Sequence, residues 1–251
     1  MQKAKGIIRH VPNFITSLNL LSGCISITLA FEGKLDWAAY MIGIAAVFDF
    51  LDGMAARLLK AYSEIGKQLD SLADMVSFGV APSAILYALI KIALIKNSLL
   101  SGMFSTDSIQ EALAFIPFLI AIFSALRLAK FNIDERQTSS FIGLPTPANA
   151  ILIASLPLII ANQDPFLENI ILNKYLLIGL ILVLSYLLIS EIPMFSLKFK
   201  HLKWKENEFR FIFLALSFVL IVLLKFTAIP IVIFTYILLS VVQWCIFTPK
   251  K

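Results

Sequence analysis

Eight long apolar runs, each bounded by polar or charged residues, divide the chain: 14–31, 37–59, 71–95, 112–131, 146–161, 175–189, 209–224 and 226–247. A helix crosses the hydrocarbon layer of a bilayer with about 20 mostly apolar residues, because it satisfies its own backbone groups where no water can. The runs therefore predict an all-α, polytopic transmembrane helix bundle of about eight helices. Pro147 and Pro157 fall within the fifth run, which with the sixth is among the shortest. The opening Met1 to Lys5 ahead of an apolar run has the outline of a secretion signal. No small-residue cleavage site follows Phe31, so this run is read as a retained first helix.

Positive charge orients such a bundle, since Lys and Arg collect in cytoplasmic loops. Sixteen of the 21 fall at the two ends and in the loops after runs two, four and six; only Lys34, Lys91, Lys96, Lys174 and Lys225 fall in the other loops. Both termini are thus expected in the cytoplasm. Composition agrees, with 59% hydrophobic and 15% charged residues, too apolar for an ordinary soluble domain. In that setting the net charge of +5 reflects orientation and contact with anionic lipid rather than a nucleic-acid surface. Cys24 and Cys245 sit in apolar runs without metal-binding or disulfide spacing, and are read as buried, inert thiols. His10 and His201, in basic segments, are read as solvated or interfacial.

The chemistry concentrates between the second and third runs. Asp49 and Asp52 share one helical stripe with Ala56, and Gly66, Asp70 and Asp74 share another, because residues three or four apart lie on one face. A short connection makes the two helices antiparallel, so the stripes can face each other and gather up to four negative charges at one membrane face. Unrelieved, that is strongly unfavourable. Protonation or bound cations relieve it, and hard carboxylate oxygens suit Mg2+, Mn2+ or Ca2+; bound metal is the preferred reading. Gly53, Gly66, Ala55 and Ala56 leave backbone open beside the acids, as a diphosphate or a close helix approach needs.

Plainer readings exist for each residue alone: a solvated helix-end carboxylate, or for Arg57 an orienting surface charge. A cation transporter also uses membrane carboxylates, but at mid-membrane in broken helices, whereas these lie at one face on consecutive helix ends.

The full pattern D-x-x-D-G-x-x-A-R-x8-G-x-x-x-D-x-x-x-D, from Asp49 to Asp74, resembles the signature of the CDP-alcohol phosphatidyltransferases. Pro12 to Thr16 with Asn19, Arg127 to Asn132, and Phe141 to Pro147 are similar to segments of the membrane-embedded phosphatidylserine synthases, which often carry Arg where this chain has Lys130. The resemblance implies metal-dependent transfer of a phosphatidyl group from CDP-diacylglycerol to L-serine, giving phosphatidylserine and CMP. Glycerol phosphate or inositol phosphate are the alternative acceptors.

It implies that Asp49, Asp52 and Asp70, with Asp74, hold Mg2+ or Mn2+, two ions being expected, and that Asp74 is the general base. It implies that Asp49, Asp52, Gly53, Ala56, Arg57, Gly66, Thr16 and Asn19 bind the CDP group. Arg127 is the candidate for the acceptor carboxylate, because guanidinium pairs with carboxylate through two parallel hydrogen bonds; Lys130 and Asn132 complete the expected acceptor set.

Residues 1–190 form the expected catalytic core of about six helices. Residues 191–251 add a basic cytoplasmic segment and two helices, read as a lipid-binding or pairing surface, with a homodimer expected. The expected location is the bacterial inner membrane, with the site facing the cytoplasm.

Overall fold

A helix in lipid turns its few polar groups inward, and the first helix, α1 (Val11–Phe31), does so along a single stripe. Pro12, Thr16, Asn19, Gly23, Ser26 and Ala30 are buried, while Phe14, Leu21, Ile25 and Phe31 face outward. The computed structural model describes residues 10–101, 108–134, 141–162, 164–194 and 208–247. A turn at Gly33 (φ +77) leads into α2 (Leu35–Leu58), whose Ala38, Ala39, Ile42 and Ala45 pack on the small residues of α1. Ser26 Oγ donates to the Ala38 carbonyl at 2.8 Å, tying the pair together among small residues.

The third apolar run belongs to a longer rod. Helix α3 (Glu64–Asp74) passes through a π-helical segment, Met75–Val80, into α4 (Ala81–Ser101). The expected start at 71 lies well inside it, because Glu64, Lys67, Gln68 and Asp70 lower the hydropathy of turns that are nonetheless helical. Ser63 fixes the true start by accepting from the Gly66 amide at 3.0 Å. Glu64–Lys96 is 33 residues, or about 50 Å, so its first turns reach beyond an approximately 30 Å hydrocarbon layer.

The fourth run comprises α5 (Ser108–Leu113) and α6 (Phe118–Ile133), joined by tighter turns around Pro117. Helix α7 (Thr146–Ala161) keeps its expected limits. Pro147 occupies its first turn, where no amide donor is needed, and Pro157 is accommodated inside it. The sixth run is α9 (Lys174–Ile189), preceded at a 60° bend by α8 (Pro165–Ile171). Asp164 and Asn173 cap these two helices, and Lys96 Nζ reaches Glu168 (3.0 Å) and Asn169 (2.9 Å), joining α4 to α8 at the end of the bundle away from the acids.

The chain ends with α10 (Glu208–Leu224) and α11 (Ala228–Phe247). Arg210–Cys245 is one apolar stretch of 36 residues, yet Lys225 has φ 50 and the rings of Phe213 and Tyr236 lie 5.7 Å apart. A straight helix would separate those rings by about 34 Å, so the stretch folds back into an antiparallel hairpin.

Among the described residues, five helical stretches are long and apolar enough to cross a membrane, with Arg210–Cys245 counted as one, or six if α8 and α9 form one bent span, and α7 is a shorter apolar helix. The protein is an all-α integral membrane bundle. Its core, including Ile42, Phe78, Ile85, Leu89, Ile120, Ile153 and Ile181, is fully buried between helices. A two-residue ladder, Phe141–Ile142 on Pro193–Met194, ties the start of α7 to the chain leaving α9. The terminal residues 1–9 and 248–251, Arg136 and the basic residues from Lys198 to Lys205 lie outside the described residues.

One expectation is overturned. Cys24 and Cys245 are exposed, not buried. An apolar run signals an apolar environment, and in a membrane protein that environment is as readily lipid as protein core.

Candidate active site

Because α2 and α3 run antiparallel, a residue early in the α2 stripe meets one late in the α3 stripe. Asp49, Asp70 and Asp74 are thereby brought together, with one carboxylate oxygen of each within 4.8 Å of the others. Asp52, one turn along α2, is 6% exposed and faces α1, with Thr16 as its neighbour. Oδ2 of Asp52 and Oδ1 of Asp70 are buried without a hydrogen-bond partner. An all-oxygen, all-carboxylate donor set of this size fits a hard divalent cation, and the unpartnered oxygens point the same way.

Asp74 is set in place by a relay through α1. The π-helical segment begins immediately after it, and such segments shift the register of side chains within a helix. Ser77, on that segment, donates to the Asn19 carbonyl at 3.0 Å, and Asn19 Nδ2 donates to Asp74 Oδ1 at 3.3 Å. The approach that permits this is at Gly23, where a Cβ would lie 2.8 Å from Ser77 Cα. Asn19 itself is fully buried, its own Oδ1 without a partner.

The small residues of the motif divide into two kinds. A Cβ on Gly53 would meet nothing closer than Arg57 Nη2 at 4.0 Å, so the backbone beside Asp52 is open. Arg57 Nε folds back to the Gly53 carbonyl at 2.9 Å, and Ala56 is half-buried on the acidic face of α2. Gly66, by contrast, has Asn13 Oδ1 at 2.9 Å and Ser63 Oγ at 3.0 Å from where its Cβ would be, so its smallness admits Asn13.

Of the three expected acceptor residues, Arg127 alone enters the interior. It is 7% exposed on α6, with its Nε unpartnered and with Asp74 and Tyr236 as its electrostatic neighbours. Lys130 is exposed and pairs at 3.9 Å with Glu191. Asn132 donates to Ser71 Oγ at 2.9 Å and accepts from Lys67 Nζ at 3.3 Å through its carbonyl, clasping α3 to α6.

Reading the chain alone missed Asn149, fully buried in the first turn of α7 with both amide atoms unpartnered, and also Ser77 and Tyr236. Asn149 carried a usable signal, being a polar side chain inside an apolar membrane run. Ser77 and Tyr236 carried none, since their partners are distant in sequence.

Comparison with known proteins bears on what this arrangement does. The profile of the family described as CDP-alcohol phosphatidyltransferase matches residues 9–187. A Helicobacter pylori (strain J99) protein named CDP-diacylglycerol–serine O-phosphatidyltransferase is 32% identical over 241 residues, covering 95% of this chain and 92% of its own. Proteins of the same name from Bacillus subtilis (36% over 205 residues; 80% and 96% covered) and Methanocaldococcus jannaschii (33% over 174 residues; 69% and 70% covered) are also similar.

Proposed function

Because the chain belongs to the CDP-alcohol phosphatidyltransferase family, we propose that it transfers a phosphatidyl group from CDP-diacylglycerol to L-serine, producing phosphatidylserine and CMP. The observation that carries this reading is the meeting of Asp49, Asp70 and Asp74 at facing helix ends, with a buried, unpartnered Arg127 nitrogen beside Asp74. The first feature suits a diphosphate with its counter-cations; the second suits an acceptor carrying its own carboxylate.

The acyl chains of the donor stay in lipid while its diphosphate lies at the acidic cluster. The open backbone at Gly53, with Ala56 and Arg57, takes the cytidine diphosphate, and Thr16, Asn19 and Gly66 line the α1 side of the same region. Arg127 holds the serine carboxylate through its paired N–H donors, so that the hydroxyl points at Asp74. Asp74 accepts the hydroxyl proton as the serine oxygen bonds to the phosphorus bearing the diacylglycerol, and the bond from that phosphorus to the bridging oxygen breaks, releasing CMP.

Asn19 steadies Asp74 for that task by occupying Oδ1. Asp49, Asp52, Asp70 and Asp74 are the residues that would hold Mg2+ or Mn2+, two ions in this proposal. A bound cation there offsets the negative charge of the diphosphate and of the developing transition state. Lys130 and Asn132, placed at the rim by their contacts with Glu191 and Ser71, act at the entrance to the acceptor region.

The charge asymmetry of the loops supports a site opening to the cytoplasm from the inner membrane. Residues 1–190 form the catalytic core of this proposal, and 191–251 an appended segment. A homodimer is also proposed, and the mass of the detergent-solubilised protein tests it.

The test of function supplies membranes containing the protein with labelled CDP-diacylglycerol and, in turn, serine, glycerol phosphate and inositol phosphate. Serine-dependent release of CMP is expected. Release with another alcohol alone would reassign the acceptor, and no release with any would overturn the enzymatic reading.

A further inference from the structure

Helix α6 is tied at two places, by different means, to the rod formed by α3 and the π-helical segment. At the first, Gly79 has no side chain, and Ser124 Cβ lies 3.2 Å from where a Cβ would be, so the two backbones approach closely. At the second, Asn132 Nδ2 donates to Ser71 Oγ at 2.9 Å, and Lys67 Nζ donates to the Asn132 carbonyl at 3.3 Å. That carbonyl is one of the last four of α6, which lack partners within the helix. The Ser71 hydroxyl in turn donates to the Lys67 carbonyl at 3.3 Å, so the three residues form one connected network.

The two ties are in register. Eight residues separate Ser124 from Asn132 on α6, and eight separate Gly79 from Ser71 on the rod, as an antiparallel pair requires. Between the ties, the residues on each side keep the three-and-four spacing of one helical face: Ser124, Arg127, Leu128 and Asn132 on α6, and Gly79, Met75, Asp74 and Ser71 on the rod. Counted from Ser124, Arg127 stands level with Val76, two residues or about 3 Å along the axis from Asp74. The proposed holder of the acceptor carboxylate and the proposed base thus lie between the two ties, and the way α6 rests on the rod sets their spacing.

The contact at Gly79 alone would be a pivot. Arg127 is three residues from Ser124 and Asn132 is eight, so a swing of about 3 Å at Asn132 carries Arg127 sideways by about 1 Å. Misplacement of that size lowers turnover by as much as about 100-fold. The second tie removes the swing.

We propose that Asn132 and Ser71 are a positioning pair that holds α6 against α3 and thereby sets the distance of Arg127 from Asp74. Asn132 then acts on the acceptor through Arg127, from the rim, rather than by touching it. This deepens the proposed function and rests on its assignment of Arg127 to the acceptor carboxylate and of Asp74 to the proton.

The test compares Asn132→Ala, Ser71→Ala, the double variant, Ser71→Thr and Arg127→Ala in purified full-length protein. It measures kcat, KM for serine, KM for CDP-diacylglycerol and the thermal midpoint. Asn132→Ala and Ser71→Ala are each expected to lower kcat about tenfold with both KM values within about twofold of the parent, since the groups that hold the substrates are intact but misaligned. The double variant is expected to fall no further, because either change alone breaks the same contact. Ser71→Thr keeps the hydroxyl and is expected to stay near the parent rate, while Arg127→Ala raises the serine KM.

A serine KM raised by Asn132→Ala but not by Ser71→Ala would mean that Asn132 touches the acceptor directly, which overturns the positioning role and leaves the assignment of Arg127 standing. Parent kcat in both single variants, with or without a lowered midpoint, reduces the pair to a structural contact and also overturns the proposal. If Arg127→Ala leaves the serine KM unchanged, the acceptor assignment fails and this inference fails with it.

Discussion

Replacing Gly23 with alanine probes the contact on which the placement of Asp74 depends. The added methyl would lie 2.8 Å from Ser77 Cα and against Ser77 Oγ, and the first of these is backbone that cannot rotate aside. Ordinary contacts begin near 3.4 Å, so α1 and the π-helical segment must separate by about 0.6 Å. The Asn19–Asp74 hydrogen bond, already 3.3 Å, does not survive a separation of that size. Overpacking of this kind costs about 1–3 kcal/mol, of which about 1 kcal/mol is returned by the better helix propensity of alanine.

The loss of stability is therefore small, and the rate is the sharper readout. Misplacing a reacting group by up to about 1 Å lowers turnover by as much as about 100-fold, so a fall of 10- to 100-fold in kcat is expected. Gly43→Ala is the control: its Cβ meets nothing within 4 Å, and its activity is expected to match the parent protein. The assay is serine-dependent CMP release, with the thermal midpoint in detergent as a check on folding. A Gly23→Ala protein with the parent rate would refute the claim that this approach positions Asp74.

Two further substitutions have defined outcomes. Asp74→Asn is expected to lower transfer by about 10²- to 10⁴-fold while the protein still binds CDP-diacylglycerol, measured by lipid binding alongside CMP release; full activity would remove Asp74 as the base. Gly143→Ala places a side chain at φ +74 with Leu188 O at 2.7 Å, and is expected to cost about 1–3 kcal/mol, read as a lower thermal midpoint in detergent.

Much of the architecture was readable along the chain because a membrane imposes length and polarity rules that a single sequence displays. The limits of α7 and the facing of Asp49 with Asp74 follow from run length, helical spacing and a short connection. What was not readable depends on partners distant in sequence. The N-terminal extension of α3 escaped notice because its first turns are polar, although Ser63 gave a local capping signal. The π-helical segment and the fit of Gly23 against Ser77 are packing outcomes with no periodic trace. The cysteines were misplaced because apolarity alone does not distinguish a lipid-facing residue from a core one. Within the acceptor segment, charge marked Arg127 and Lys130 equally, and only the packing of α6 buries the first and leaves the second at the surface.

The central claim is that carboxylates from α2 and α3 share bound cations, and the paramagnetic signal of Mn2+ reads this without any substrate. Titrating Mn2+ into the purified protein is expected to show saturable binding that is strongly weakened by Asp49→Asn on one helix and equally by Asp70→Asn on the other. Binding that is absent in the parent protein, or unaffected by either substitution, would contradict the account.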